Sequence, residues 1–140
     1  MTGDWKIRIE IPRVPPSGNE LRRKFRHPHA YRKLRNTWEQ EIACALDGAR
    51  SVARAKLRDH AAQHGKVRLR VSVEHNRFYD PDNLITGLKP VLDSLVRLGF
   101  IAGDSLKYLL LLAPQQRKGK GRTILEISEE RGEVKAVELA

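Results

Sequence analysis

Two aspartates separated by a single proline lie in the segment FYDPDNL, residues 78–84. Residues two apart in an extended chain point to the same side, so Asp80 and Asp82 can direct their carboxylates into one small volume. Close like charges repel, and a divalent cation that prefers oxygen ligands, such as Mg²⁺ or Mn²⁺, would offset this repulsion. Asp, Pro and Asn are also the residues that turns favour, so a plain solvated turn is the alternative interpretation.

Asp104 is the candidate for a third carboxylate. It follows a predicted helix, and the chain returning from that helix is able to bring it to the same end of a sheet as Asp80 and Asp82. Other chemistry has less support. The stretch GKGR at residues 119–122 lacks the spacing of a phosphate-binding loop, and no Glu lies between His60 and His64 as a zinc protease requires.

The chain is strongly basic, with 27 Lys and Arg against 17 Asp and Glu among 140 residues, a net charge of +10. Such a surface attracts polyanions, because each phosphate that Lys or Arg neutralises releases condensed counterions. Nucleic acid is therefore the expected partner, and a solubilising basic surface is the alternative. The candidate phosphate contacts are Arg22, Arg23, Lys24, Arg26, Arg32, Arg68, Arg70 and Arg77.

Length and hydropathy predict one domain over residues 1–140. No run approaches the roughly 18 to 20 apolar residues that span a bilayer, and the first residues lack the pattern of a signal peptide. We therefore expect no membrane partner and a cytoplasmic protein, associated with the nucleoid when it binds DNA. Cys44 is the only cysteine, which excludes an internal disulfide, and we expect it to be a small buried helix residue.

Alternating apolar residues predict strands over residues 5–11, 66–74, 107–112 and 123–127. Apolar residues at helical spacing predict helices over 31–46, 49–64 and 84–95, the last either kinked at Pro90 or beginning there. The basic stretch 20–29 is expected to be a loop or arm, QQRKGKGR at 115–122 a hairpin loop, and residues 129–140 a short tail or helix. Together these elements predict an α+β fold in which a mixed sheet packs against helices.

Three segments in this order resemble one known family. They are IEIPRVPPSGNELRR at residues 9–23, DPDNL at 80–84 and LKPVLDSLVRLGFIAGDS at 88–105. This series is similar to the RusA family of Holliday junction resolvases, endonucleases of bacteria and prophages, and the similarity extends over residues 5–108. The sequence departs from the family pattern at Gly103, at Tyr79 and in a segment before Asp93 that is about three residues longer.

The resemblance implies a RusA-like homodimer and a metal-dependent endodeoxyribonuclease that resolves four-way DNA junctions by paired symmetric nicks in recombination and repair. It places the metal-binding, catalytic aspartates at Asp80, Asp82 and Asp104, the important lysine at Lys89, and Mg²⁺, with Mn²⁺ as a substitute, at the aspartates. Two alternatives stay open at this point. One is a metal-dependent nuclease for flaps or other branched nucleic acid, and the other is a basic DNA-binding protein without catalysis.

Overall fold

A mixed five-stranded sheet forms the centre of the protein in the computed structural model, which describes residues 5–47 and 51–130. The spatial order is β1-β5-β2-β3. β4 also pairs with β2, nearer to the carboxyl end of β2 than β3 does. β1 and β2 run antiparallel to β5, whereas β3 and β4 run parallel to β2. The strands are β1 (Lys6–Ile11), β2 (Val67–Glu74), β3 (Leu109–Leu111), β4 (Gln115–Arg117) and β5 (Arg122–Glu129).

The two faces of the sheet differ because the side chains alternate along each strand. In β2 the inner face carries Val67, Leu69, Val71 and Val73, all fully or almost fully buried. Full burial of an aliphatic side chain of this size stabilises the fold by about 1.5 to 3 kcal/mol. The outer face carries charged residues in opposite-sign pairs, for example Arg122 with both Glu10 and Glu74 at 2.6 Å.

Within the described residues, five helices accompany the sheet: α1 (Gly18–Arg23), α2 (Pro28–Ala45), α3 (Ser51–Ala62), α4 (Pro81–Thr86) and α5 (Lys89–Arg97). α2 and α5 pack against each other, and the apolar faces of α2, α3 and α5 complete the core with the inner face of the sheet. The observed fold is thus a small single-domain α+β protein with a mixed open sheet, as the sequence predicts. Cys44 is exposed, contrary to expectation, since it lies opposite the buried Trp38 and Ile42 on α2.

The prediction of an irregular arm over residues 20–29 is wrong in part, because α1 occupies its first residues. Ser17 accepts a hydrogen bond from the Glu20 amide at 3.1 Å, and the Glu20 carboxylate accepts one from the Ser17 amide at 3.0 Å. This reciprocal capping satisfies two amides that would otherwise lack partners at the start of a short helix. The capping pair, rather than an apolar period, makes this basic segment helical.

Pro90 separates two helices instead of kinking one. α4 ends at Thr86, and α5 begins at Lys89 with Pro90 in its first turn, where a missing amide hydrogen costs nothing. Gly99, just after α5, has φ of +77°, the left-handed conformation that ends many helices and that glycine adopts readily. The second of the two sequence interpretations of this region, a main helix beginning around Pro90, is therefore confirmed.

The expected hairpin between the last two strands does not form, because β2 lies between β3 and β5 in the sheet. Residues Gln115–Arg117 of the predicted loop instead form β4, which pairs in parallel with the carboxyl end of β2. Most of the predicted tail, residues 131–140, lies outside the described residues, and Glu129 ends β5. Among the helices that the structure describes, none has the length and apolar content needed to cross a membrane.

Candidate nucleic-acid and metal site

The Asp80 turn, residues 78–83, connects the carboxyl end of β2 to α4. Asp80 is the N-cap of α4, but its side chain makes no capping hydrogen bond, and Asp82 lies in the first helical turn. Both side chains are exposed. Neither has a hydrogen-bond or ion-pair partner among the residues that the structure describes. The two carboxylates are thus free to bind a ligand from solution.

Gln116 of β4 holds the Asp80 turn in place. Its side-chain oxygen accepts a hydrogen bond from the Tyr79 amide at 2.8 Å, and its side-chain nitrogen donates to the Tyr79 carbonyl at 2.9 Å. The same oxygen lies 2.9 Å from Nε2 of the buried His75, which must donate because the oxygen is an acceptor. This role of Gln116 could not be predicted from the sequence, since the residue occurs in a stretch without side-chain periodicity.

The turn before α1 closely contacts the same region. The Tyr79 hydroxyl donates to the Pro15 carbonyl at 2.9 Å. A Cβ on Gly18 would lie 2.9 Å from Thr86 Cβ, and one on Gly87 would collide with the Pro16 carbonyl oxygen. Both glycines therefore permit a close approach, to the Pro16 backbone at Gly87 and to the Thr86 side chain at Gly18. This packing fixes α1 beside α4.

A groove of about 700 Å³ lies between α1 and the Asp80 turn. We call it the α1 groove, and its lining includes Asp80 and Asn83, the aromatic residues Phe25 and Phe78, and the basic residues Arg13, Arg23, Lys24 and Arg77. Glu20 also lines it, and its carboxylate is 3.5 Å from the Lys24 ammonium. The hydrogen bond from the Ser17 amide and the nearby Lys24 hold the pKa of Glu20 below its usual value.

A second cavity of about 530 Å³ continues from the α1 groove and is lined by Asn19, Arg22, Arg23 and Arg26. Asn19 and Arg23 border both cavities. Arg22 donates to Asn19 at 2.8 Å and to Asn83 at 3.3 Å, which links α1 to the Asp80 turn. Five of the predicted phosphate contacts, Arg22, Arg23, Lys24, Arg26 and Arg77, thus border these two cavities.

The other three predicted contacts lie elsewhere. Arg32 is exposed on α2. Arg68 and Arg70 are on the outer face of β2, where Arg68 pairs with Glu130 at 3.0 Å and Arg70 approaches Glu126 at 4.0 Å. Because their charges are offset by neighbouring carboxylates, Arg68 and Arg70 are weaker candidates for a phosphate contact than the α1 arginines.

Lys89 begins α5 and belongs to a polar cluster between α2 and α5. Its ammonium lies 3.4 Å from an Asp93 oxygen and 5.4 Å from the centre of the Tyr31 ring. The Tyr31 hydroxyl donates to the same Asp93 oxygen. Burial and this hydrogen bond raise the pKa of Tyr31, so the phenol stays protonated. Sequence periodicity identified Tyr31 only as part of an apolar helix face.

The chain that follows Asp104 enters the sheet at the opposite end of β2 from the Asp80 turn. The loop that contains it leads to β3, which begins opposite Val67 at the amino end of β2. The Asp80 turn follows the carboxyl end, where Gln116 pairs with Val73. The six residue-to-residue steps from Val67 to Val73 extend over about 20 Å. We therefore infer that Asp104 lies away from the Asp80 turn of its own chain, and the strand pairing lends no support to the expectation that the returning chain brings the two together.

Packing explains the glycine that departs from the family pattern beside Asp104. A Cβ on Gly103 would approach the Tyr108 ring to 2.8 Å. An aspartate at this position would therefore displace the Tyr108 ring.

Among residues 5–47 and 51–130, no three acidic, histidine or cysteine side chains are grouped so as to hold a metal ion.

Asp80 and Asp82 alone are a chemically suitable pair for Mg²⁺. This ion prefers oxygen ligands and is commonly held by one or two carboxylates together with waters and substrate phosphates, rather than by a complete cage of protein ligands. The exposed, unpartnered oxygens of Asp80 and Asp82 match that donor set. The arginines that border the adjoining cavities are placed to attract the phosphates that would complete it.

No protein-family model matches this sequence, and a comparison with functionally characterised proteins finds no significant match.

Proposed function

We propose that this protein is a Mg²⁺-dependent endodeoxyribonuclease that acts on branched DNA and resolves Holliday junctions by paired nicks. One observation carries the proposal: Asp80 and Asp82 present two exposed carboxylates without described partners, directly beside the cation-lined α1 groove. A carboxylate pair next to bound phosphates is the arrangement that metal-assisted phosphodiester hydrolysis needs. The resemblance of residues 5–108 to the RusA family supports the choice of substrate.

Each part of the site has a role in this reaction. Arg23 and Arg77 bind the phosphates on either side of the scissile bond, which orients the strand across the Asp80 turn. The oxygen of a water molecule bonds to phosphorus as the leaving oxygen departs from the opposite side; the water releases a proton to solvent, and the leaving oxygen takes one up from solvent. When bound by Asp80 and Asp82, Mg²⁺ supplies activation of the water and offsets the negative charge that develops. Lys89 contributes a further positive charge once DNA draws its ammonium away from Asp93.

Asp104 enters this proposal through a second copy of the chain. The chain after Asp104 enters β3 at the amino end of β2, and the Asp80 turn follows the carboxyl end, which supports a site in which Asp104 joins Asp80 and Asp82 of another subunit. A homodimer with two such shared sites also suits a four-way junction, whose near two-fold symmetry requires two symmetric nicks. The dimer, the shared site and the role of Asp104 are thus one connected proposal.

A basic DNA-binding protein without catalysis is the second candidate. It is favoured by the finding that the described residues of one chain contain no ready group of three metal-ligating side chains. In that case the Asp80 turn would be structural, and its substitution would lower stability and DNA binding together. A nuclease for flaps or RNA remains the alternative among enzymes.

The experiment that separates these functions is cleavage of a synthetic mobile four-way junction, beside a matched linear duplex, a flap and an RNA hairpin, in Mg²⁺ and in EDTA. We expect paired nicks in the junction with Mg²⁺ and none with EDTA. Asp82→Asn should lower cleavage by at least about 10²-fold while junction binding in Ca²⁺ persists, since the lost group acts on the reaction rather than on affinity.

The matched control is Asp59→Asn, which changes an exposed aspartate on α3. It should cleave normally. A wild-type protein that binds the junction but does not nick it in Mg²⁺ or Mn²⁺ would favour the DNA-binding candidate, and preferred cleavage of the flap or the RNA would replace the junction as substrate.

A further inference from the structure

The α1 groove combines an aromatic surface with positive charge next to the Asp80 turn. Phe78 lines the groove and is 57% exposed, and its ring stacks on His75 with centroids 5.6 Å apart and an interplanar angle of 16°. Since His75 covers one face of the ring and the side chain is largely exposed, the other face is available to a ligand. A single exposed Phe is ordinary on a protein surface, so its surroundings must decide its role.

Those surroundings are suited to a nucleic-acid strand. Arg23 and Arg77 line the groove with Phe78, and the adjoining cavity adds Arg22 and Arg26. Arg23, Arg26 and Arg77 have no ion-pair partner in the described part of the chain. Glu20, 3.5 Å from the Lys24 ammonium, also interacts electrostatically with Arg77, whereas Arg23 and Arg26 have no such interaction among the described residues.

Proteins that hold single-stranded nucleic acid combine these same two features, a positively charged path for the backbone and aromatic side chains on which bases stack. A base within a duplex cannot stack on Phe78, because both of its faces are already covered by neighbouring bases. Only a nucleotide whose base has left the helical stack presents a free face. The junction of two or more duplex arms is where such nucleotides are least costly to expose.

We propose that the α1 groove binds one unstacked nucleotide of a DNA strand, with its base against Phe78 and the adjoining phosphates at Arg22, Arg23 and Arg26. This site deepens the proposed nuclease function, on which it rests for the identity of the strand as DNA. It supplies a physical reason for selecting branched over linear DNA, since a linear duplex offers no such nucleotide next to the Asp80 turn.

The test compares two probes with equal charge. One is an oligothymidylate of about 12 nucleotides, within the range of known single-strand site sizes, and the other is an abasic strand with the same number of phosphates. Binding is measured by fluorescence anisotropy in EDTA, so that cleavage plays no part. We expect the wild-type protein to bind the oligothymidylate about tenfold more tightly than the abasic strand, because stacking requires the base.

Phe78→Leu should bring the two affinities to within about twofold of each other, and Phe78→Tyr should keep the preference because its ring still stacks. Arg26→Gln should weaken both probes equally and reduce the salt dependence by about 0.7 in log-log slope. Leu106→Ala is the control for loss of an exposed apolar side chain, and it should bind like wild type.

Equal wild-type binding of the two probes, or an undiminished preference in Phe78→Leu, would overturn the proposed site. A thermal melt of each variant shows whether a loss of binding reflects unfolding, and the wild-type comparison of the two probes keeps the test decisive if Phe78→Leu is unstable. Junction cleavage in Mg²⁺ is scored separately. A base preference without cleavage would support the nucleotide site in the α1 groove and contradict the proposed nuclease function. Cleavage without a base preference would support the nuclease function and contradict the nucleotide site.

Discussion

The segments that adjoin the two ends of β2 contain aspartates in very different surroundings. At the carboxyl end, Asp80 lies on a turn that Gln116 holds by two hydrogen bonds and that borders a cation-lined groove. At the amino end, Asp104 is on an exposed loop beside the Gly103–Tyr108 contact. The difference shows that carboxylates grouped by one sequence pattern can have separate surroundings. In the function proposed above, the held turn binds the metal ion and Asp104 joins it from a second chain.

The largest expected effect tests whether the two ends meet across a dimer. Asp80→Asn and Asp104→Asn homodimers should each lose junction cleavage by at least about 10²-fold. An equal mixture that has exchanged subunits should regain about one quarter of the wild-type nicking, because half of the dimers are mixed and each has one intact shared site. Nicking of a labelled junction measures this directly.

Two outcomes would break this arrangement. An inactive mixture, despite demonstrated subunit exchange, would mean that each site is built from one chain. Normal cleavage by Asp104→Asn alone would place Asp104 outside the site, and the two ends of β2 would then be functionally unrelated.

The next effect concerns the hydrogen bonds that distinguish the carboxyl end. Gln116→Leu removes the partners of Tyr79 and His75, so the Asp80 turn shifts, and a shift of about 1 Å at a catalytic group costs on the order of 10²-fold in rate. We expect kcat for junction cleavage to fall while the junction affinity in Ca²⁺ and KM change little. Gln115→Leu, at the exposed neighbour in β4, is the control and should cleave normally. Equal rates for the two variants would show that Gln116 does not position the turn.

A smaller effect contrasts cations of the two surfaces. Arg23→Gln should weaken junction binding and lower its salt dependence by about one unit of log-log slope, because one phosphate contact is lost. Arg68→Gln, on the outer face of the sheet, should leave binding nearly unchanged because Arg68 is paired with Glu130. Anisotropy titrations at several salt concentrations give both slopes. If Arg68→Gln has the larger effect, DNA binds the outer face of the sheet rather than the α1 groove.

The smallest effect is on stability at the start of α1. The pKa of Glu20 is lowered in the folded protein, so its ionised form stabilises the fold above its ordinary pKa of 4.5, and this contribution disappears as pH falls through the lowered value. Glu20→Gln keeps the capping geometry but removes the charge, which should cost a few tenths of a kcal/mol at neutral pH and nothing in strong acid. Urea unfolding at the two pH values measures the difference. A cost that persists in acid would mean that shape, not charge, is responsible.

The sequence alone determined most of the regular elements. Strict alternation in Lys6–Ile11 and Val67–Glu74, and the helical spacing of Trp38 and Ile42, predict strands and helices that the structure contains. These signals are local, because one buried face imposes its period on a continuous segment. Local sequence signals also predicted the α+β class, the break near Pro90 and the exposed carboxylates of the Asp80 turn.

Only the tertiary structure decided which distant residues meet. The parallel pairing of β3 with β2 directs the chain after Asp104 to the end of β2 opposite the Asp80 turn, and the insertion of β2 between β3 and β5 turns a predicted hairpin loop into β4. Tertiary contacts also bring Gln116 to Tyr79, form the α1 groove and pair Arg68 with Glu130. Contacts of this kind leave no period in the sequence, because each depends on side chains brought together from separate segments only after the sheet has formed.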